Sequence, residues 1–109
     1  MKSTRDIGKL LENYVLTLIQ KIDPKARLTK GSGSATELGD ILNTRFFVEC
    51  KKRNKKNFTV DESVWIKLLE LMPYKTQKFP LYVIENENKR RFAVLDLDDF
   101  FRLITEMNQ

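Results

Sequence analysis

The sequence predicts an α/β fold with a mixed central sheet of about five strands flanked by helices. Apolar residues near the N-terminus recur at helical spacing, and residues 46 to 50 are almost entirely apolar, as in a strand covered on both faces. Further strand-like and helix-like segments alternate after them. The predicted order is one helix, three strands, a helix, two strands and a helix (αβββαββα). The length of 109 residues fits a single domain, residues 1–109.

The first helix is expected between Ser3 and Asp23. Its apolar positions repeat every three or four residues. They are Ile7, Leu10, Leu11, Tyr14, Val15, Leu18, Ile19 and Ile22. Ser3 with Asp6 resembles a capping box at the start, and Asp23 followed by Pro24 ends the helix. Glu12 lies at the border of this apolar stripe.

Three strands are predicted next, over residues 26–29, 40–42 and 46–52. A polar loop at residues 31–34 (GSGS) separates the first two strands. A tight hairpin across Asn43 and Thr44 joins the last two, and would bring Asp40 beside Glu49. Alternation along the third strand places Glu49 and Lys51 on one face and Val48 and Cys50 on the other.

The second half of the chain supplies the remaining elements. A helix capped by Asp61 or Ser63 is expected to end at Pro73. Its apolar side consists of Val64, Trp65, Leu68, Leu69 and Met72. Strands over residues 81–84 and 92–97 flank the polar turn ENENKRR. The last helix is expected to begin near Asp98. It is expected to pack through Phe100, Phe101, Leu103 and Ile104.

The composition excludes several classes of enzyme. The chain contains no histidine and a single cysteine, Cys50. The lack of histidine excludes Ser-His-Asp hydrolases, Cys-His proteases and histidine-ligated zinc hydrolases. One cysteine excludes an internal disulfide and a zinc knuckle. An enzyme of this composition would work with carboxylates, lysine and a hard metal ion bound through oxygen.

The charge distribution indicates a polyanionic partner. The net charge is +5, and residues 45–56 contain six basic residues with one acid, Glu49. These six are Arg45, Lys51, Lys52, Arg53, Lys55 and Lys56. Such a patch fits nucleic acid, although a solvated loop is the alternative. No apolar run approaches the roughly 20 residues that span a bilayer, and the N-terminal segment lacks a signal peptide's apolar region. We therefore expect a soluble cytoplasmic protein without a membrane partner.

A carboxylate cluster beside a lysine is the strongest functional signal. Asp40 and Glu49 are predicted to meet across two strands, with Lys51 beside them and Glu12 reaching in from the first helix. Close carboxylates repel one another unless a cation lies between them, and oxygen ligands suit Mg²⁺ or Mn²⁺. The lysine would then orient or deprotonate a water molecule. A second Glu-x-Lys triplet, at residues 87–89, lies in a polar turn and is assigned to solvent.

The combination of these motifs resembles the PD-(D/E)xK nuclease superfamily, most closely the small Holliday-junction resolvases of archaeal and phage type. The residues that carry the resemblance are Glu12, the Gly31–Ser34 segment, Gly39-Asp40, Glu49-Cys50-Lys51 and the helix with Trp65. The resemblance implies a restriction-endonuclease-like core and a homodimer that cuts branched DNA in a bacterial or phage-infected cell. Gly39 stands where that superfamily's motif has a proline.

The resemblance also implies a role for each site residue. Asp40, Glu49 and Glu12 would bind Mg²⁺ or Mn²⁺, with the Cys50 backbone carbonyl as a further ligand. Lys51 would position the attacking water. The residues expected to contact substrate phosphates are Lys30, Ser32, Ser34, Lys52, Arg53, Lys55 and Lys56.

Other interpretations of the same residues stay open at this point. Asp40 is also compatible with an ordinary turn aspartate, and Glu49 with Lys51 is compatible with a simple ion pair at a sheet end. For the whole chain, one alternative is a non-catalytic nucleic-acid-binding module on the same fold. Another is a protein-interaction domain that uses Trp65 and the acidic C-terminal segment.

Overall fold

The computed structural model describes residues 4–29, 39–73 and 76–108, and the side chains of residues 10–29 in the first of these ranges. It contains three helices and five strands in the predicted order. The elements are α1 (Thr4–Ile19), β1 (Arg27–Leu28), β2 (Ile41–Leu42), β3 (Phe46–Lys52), α2 (Glu62–Leu71), β4 (Phe79–Glu85), β5 (Arg91–Val94) and α3 (Leu97–Met107). The predicted α/β class is therefore confirmed. Within the described ranges, no helix has the length and apolar character needed to cross a bilayer.

The strands form two sheets in the described part of the chain, where the sequence predicted one sheet of about five strands. β3 pairs with β4 in parallel and β4 with β5 antiparallel, while β1 and β2 form a separate antiparallel pair. A hydrogen bond from the Asp40 N–H to the Val48 carbonyl, 2.8 Å long, links the two sheets. The expected hairpin between β2 and β3 is thus only partly formed. The Asn43 side chain satisfies backbone groups between the two strands, since its oxygen accepts hydrogen bonds from the Arg45 and Phe46 N–H groups.

The three-stranded sheet is covered on both faces, which explains the apolar run in β3. One face packs Val48 and Cys50 against α1, and the opposite face packs Phe47 against Leu68 of α2. Val48 has no exposed surface. The alternation predicted for β3 is confirmed by this division. Trp65 is partly buried in the α2 cluster, as expected of a core residue.

The N-terminal helix buries a narrower stripe than the sequence predicted. Its buried residues are Leu11, Val15 and Ile19, one turn apart. The exposed members of the predicted stripe are Leu10, Tyr14, Leu18 and Ile22. The helix ends at Ile19, before the predicted Asp23, and the backbone continues in turns whose N–H groups at Lys21 and Ile22 bond three residues back. The Asp23 carboxylate accepts a hydrogen bond from the Thr44 N–H, 2.9 Å away. The predicted cap residue Ser3 lies outside the described residues.

The other two helices begin at aspartate caps, and one of them packs differently from the prediction. Asp61 caps α2 by accepting a hydrogen bond from the Val64 N–H, and Asp96 caps α3 in the same way. The predicted packing of α3 through four apolar side chains is wrong. Leu103 contacts the core, but Phe100, Phe101 and Ile104 are 42%, 59% and 38% exposed.

A row of charged side chains crosses the end of the three-stranded sheet. Lys52, Glu85 and Arg91 are register partners on β3, β4 and β5. The Lys52 Nζ lies 2.6 Å from one Glu85 carboxylate oxygen, and the Arg91 Nε lies 2.8 Å from the other. The Arg91 guanidinium also stacks 4.0 Å from the centre of the Tyr14 ring on α1. This row therefore ties all three strands to the first helix.

The environment of Glu85 favours its charged form. Burial acts to raise the pKa of Glu85, but the hydrogen bonds and charges of Lys52 and Arg91 outweigh it and lower the pKa below the ordinary 4.5. Stability from this lowered pKa is present above about pH 4.5 and is lost as the pH falls through the pKa of the folded state.

We expect Glu85→Gln to lower the free energy of unfolding by about 1–3 kcal/mol at pH 7, because it leaves two cations without their carboxylate. The difference from the wild type should shrink below about pH 4. Urea unfolding at both pH values measures it. Glu70→Gln, which removes an exposed carboxylate from α2, should change the same quantity by less than about 0.5 kcal/mol. Equal effects of the two substitutions would contradict this account.

Candidate functional site

Asp40 is fixed against the open edge of β3 by its own carboxylate. The Cys50 backbone N–H donates a hydrogen bond to Asp40 Oδ2, and the Asp40 N–H donates to the Val48 carbonyl. The first bond is 2.6 Å long. Because it satisfies a backbone N–H at the strand edge, the Asp40 side chain replaces the carbonyl that a neighbouring strand would supply. Asp40 is therefore part of the sheet edge as well as a candidate site residue.

Gly39 makes this placement possible. Its backbone adopts φ +80°, a left-handed conformation that glycine tolerates and other residues rarely adopt. A Cβ atom at this position would also lie 3.1 Å from the Val48 carbonyl oxygen. Proline is held near φ −65°, so this backbone conformation excludes a proline at position 39.

Glu49 and Lys51 point to one face of β3, as predicted, and they contact each other. The Lys51 Nζ lies 3.2 Å from Glu49 Oε1. The Lys51 side chain is 47% exposed, whereas that of Glu49 is 22% exposed. The carboxylate is thus held at the sheet and the ammonium extends toward solvent.

The charges of all three other predicted catalytic residues affect the pKa of Asp40. The pKa of Asp40 is raised from 3.8 to about 7, and burial is the largest cause of the rise. The negative charges of Glu49 and Glu12 contribute to the rise, whereas the hydrogen bond from Cys50 and the positive charge of Lys51 partly oppose it. Three separate segments, α1, the residues before β2, and β3, therefore bring these four side chains into one electrostatic cluster.

Cys50 contributes its backbone to the cluster, and its thiol is unreactive. In a β-strand the N–H and C=O of one residue face the same edge, so the Cys50 carbonyl faces the edge where Asp40 lies. Burial raises the pKa of the Cys50 thiol above its usual range, and the charges of Asp40, Glu12 and Glu49 add to the rise. A thiolate nucleophile is therefore disfavoured here.

The donor chemistry of the cluster suits a hard divalent cation. Carboxylates of Asp40, Glu49 and Glu12 and the Cys50 carbonyl are all oxygen donors. The pKa of Asp40 is raised mainly by burial and in smaller part by the charges of Glu49 and Glu12, and a cation would relieve that smaller part. Among the described residues, however, no three histidine, cysteine or acidic side chains converge closely enough to hold a metal ion. One Glu49 carboxylate oxygen is engaged by Lys51.

The predicted phosphate contacts fall into three groups. Lys30, Ser32 and Ser34 lie outside the described residues. Lys52 lies at the end of β3, but its charge is paired with Glu85. The exposed members are Arg53, Lys55 and Lys56, which follow β3 beside a groove of about 560 Å³.

Some residues that shape this region were not predicted from the sequence. Glu85 and Asn86 are buried polar residues that hold the segment after β3, and no local sequence pattern distinguishes them from exposed turn residues. Lys89 and Arg90 lie in the segment that the sequence predicted as a polar turn, with Lys89 assigned to solvent. The attachment of this turn to residues 55–56 follows from the parallel register of β3 and β4, which the sequence does not specify.

No known protein family model, curated protein or solved structure matches this chain.

We expect Asp40→Asn to raise the free energy of unfolding by roughly 1–3 kcal/mol at pH 8 in chelator. The pKa of Asp40 is raised from 3.8 to about 7, so the wild type loses stability as the pH rises through that interval. Asparagine keeps an oxygen to accept the Cys50 N–H and removes the charge. Near pH 4, where the wild-type carboxyl is mostly protonated, the two proteins should differ little. Chemical unfolding at both pH values tests this, and a wild type more stable than the variant at pH 8 would contradict it.

Proposed function

We propose that this chain is a metal-dependent DNA endonuclease that hydrolyses phosphodiester bonds, with a core of the PD-(D/E)xK type. The observation that carries the proposal is the electrostatic cluster of Glu12, Asp40, Glu49 and Lys51. The sequence patterns that selected these residues span 39 positions, from Glu12 to Lys51, and the charges of the other three all act on the carboxyl group of Asp40. The resemblance named above assigns each of them a role in phosphodiester hydrolysis.

The arrangement of strands supports a restriction-endonuclease-like core. The hydrogen bond between Asp40 and Val48 links the β1–β2 pair to β3, which supports a strand order of β1-β2-β3-β4-β5. A continuous five-stranded sheet in this order is the finer form of the proposed fold. The helices α1 and α2 cover its opposite faces.

Each residue of the cluster has a distinct task under this proposal. Asp40, Glu49, Glu12 and the Cys50 carbonyl would hold Mg²⁺ or Mn²⁺. When bound, such an ion neutralises the clustered carboxylates and stabilises the negative charge that develops on the phosphate. Lys51, with its exposed ammonium, would hold the attacking water by a hydrogen bond. Positioning and electrostatics would then supply the catalysis, without a covalent intermediate on Cys50.

Selectivity for branched DNA and a two-fold dimer also belong to this proposal. Both are carried by the resemblance to small Holliday-junction resolvases. A dimer would allow two sites to cut opposing strands of a four-way junction.

A non-catalytic nucleic-acid-binding module on the same fold is the second candidate function. The ion pair between Glu49 and Lys51 favours it, because that contact occupies the two residues most needed for hydrolysis. The absence of three converging metal ligands among the described residues points the same way. Such a module would bind DNA equally well with and without divalent metal.

We expect cleavage of labelled DNA in Mg²⁺ or Mn²⁺, and none in chelator. A four-way junction, a linear duplex and a single strand should be compared. Asp40→Asn, Glu49→Gln and Lys51→Ala should each reduce the cleavage rate by at least about a hundredfold, because each removes a group that acts on the reacting phosphate or its metal. Glu70→Gln, which removes an exposed carboxylate from α2, should cleave at the wild-type rate.

Two results would contradict the nuclease. Binding without cleavage on every substrate and in every metal would favour the non-catalytic module. Cleavage retained by Glu49→Gln would place the reaction at another site.

A further inference from the structure

One buried side chain, that of Asn86, joins the turn after β4 to the loop after β3. Its Oδ1 accepts hydrogen bonds from the Asn88 and Arg90 backbone N–H groups, each 3.0 Å long. Its Nδ2 donates to the Lys56 carbonyl, 3.2 Å away. Asn86 is only 6% exposed. The conformation of the turn and its attachment to the loop therefore depend on the same amide.

Two backbone hydrogen bonds reinforce this attachment. The Glu87 N–H donates to the Lys55 carbonyl at 3.1 Å, and the Arg53 N–H donates to the Glu85 carbonyl at 2.8 Å. Because Glu85, Asn86 and Glu87 are bonded to Arg53, Lys56 and Lys55, the turn at residues 86–90 is attached to the loop at residues 53–56.

The basic side chains at this end of the sheet divide into two sets. Lys52 and Arg91 are paired with the carboxylate of Glu85. The second set is exposed, and in the described part of the chain none of its members forms an ion pair. We call this set the basic surface, and it consists of Arg53, Lys55, Lys56, Lys89 and Arg90. The charges of the basic surface are thus available to a partner.

Lys89 occupies a backbone conformation that lysine does not favour. Its φ is +60°, in the left-handed region where glycine or asparagine is commonly found. A lysine held in such a conformation by surrounding hydrogen bonds is a reason to look for a function of its side chain. The strained residue lies within the basic surface, beside Arg90.

We propose that the turn at residues 87–90 and the loop at residues 53–56 together bind the phosphate backbone of a nucleic-acid duplex. The proposal rests on the nuclease function for the identity of the partner. Arg53 follows Lys51 by two residues, about 7 Å along the chain, so the basic surface begins beside the candidate site. Phosphates flanking the reacting bond would lie on it.

The chemistry of the surface favours nucleic acid over a membrane. The groove beside it is lined by amide and hydroxyl side chains, Asn54, Asn57 and Thr59, in addition to the basic residues. Such groups donate hydrogen bonds to phosphate and sugar oxygens. Basic residues attract an anionic membrane surface, and stable binding is strengthened by apolar side chains that insert among the lipids. The groove contains one apolar side chain, the partly buried Phe58, and the exposed apolar residues of α1 and α3 belong to other elements.

The test compares Lys89→Gly and Arg90→Ala with the charge-matched control Lys25→Ala. Lys25 is exposed and lies two residues after Asp23, which bonds to Thr44 just before β3 begins. It is therefore about 20 Å from the basic surface, the length of β3. Binding of a labelled short DNA duplex is measured by fluorescence anisotropy in chelator, between about 50 and 200 mM salt.

We expect Lys89→Gly and Arg90→Ala each to weaken binding roughly threefold to tenfold and to reduce the slope of log K against log salt by about 1. Lys25→Ala should change neither quantity appreciably. Lys89→Gly should also raise the Tm by roughly 4 °C, because glycine relieves the left-handed strain. A variant that is more stable and yet binds less tightly separates the loss of a contact from a loss of folding.

Three results would overturn the proposal. The first is an equal effect of Lys25→Ala, which would mean that net charge alone governs binding. The second is wild-type protein that does not bind the duplex at low salt. The third is binding of phosphatidylserine-rich vesicles in place of the duplex, which would assign the surface to a membrane.

The outcome is separable from that of the nuclease proposal. Duplex binding in chelator that depends on Lys89 and Arg90, without cleavage in any metal, would support the surface and reject the nuclease. Cleavage lost in Asp40→Asn, with binding unaffected by Lys89→Gly or Arg90→Ala, would support the nuclease and reject the surface.

Discussion

The hydrogen bond from the Cys50 N–H to the Asp40 carboxylate joins the two halves of the candidate site. It holds the residues before β2 against the edge of β3, and it requires the left-handed backbone at Gly39. It also keeps a carboxyl group partly buried beside Glu49 and Glu12, which raises the pKa of Asp40 to about 7. The arrangement therefore costs stability when all three groups are charged. The clustering of these charges is what makes this sheet edge a candidate site for a charged ligand.

The charged row of Lys52, Glu85 and Arg91, at the end of the sheet, has the opposite electrostatic character, because it stabilises a charged carboxylate. There each cation meets the carboxylate of Glu85, and the lowered pKa of Glu85 reflects a satisfied environment. This row fixes the strands from which the loop after β3 and the turn after β4 extend. Lys52 and Arg91 are paired with the buried carboxylate of Glu85, whereas their sequence neighbours Arg53 and Arg90 belong to the basic surface.

The sequence predicted the parts of the fold that depend on local pattern. The buried run and alternation of β3 placed Glu49 and Lys51 correctly, and Asp61 was one of two named caps for α2.

Predictions that depended on contacts between distant parts of the chain were less accurate. The packing of α3 was wrong because an apolar stripe does not reveal whether the core has room for it, and Phe101 remains exposed. The sequence predicted one sheet where the described residues form two, because β2 has only two residues and both of them pair with β1. The attachment of residues 86–87 to the loop after β3 depends on the register of β3 with β4, which no local pattern encodes.

Titration of the chain with Mn²⁺ by calorimetry at pH 8, with and without DNA, is the most direct test of the central claim that the Asp40 cluster holds a divalent cation. The account predicts binding by the wild type and by Glu70→Gln, and its loss in Asp40→Asn, because only the last substitution removes a carboxylate of the cluster. Proton release on binding should accompany it near pH 7, where the Asp40 carboxyl is partly protonated. Absence of Mn²⁺ binding to the wild type, even with DNA present, or equal binding by Asp40→Asn, would contradict the account.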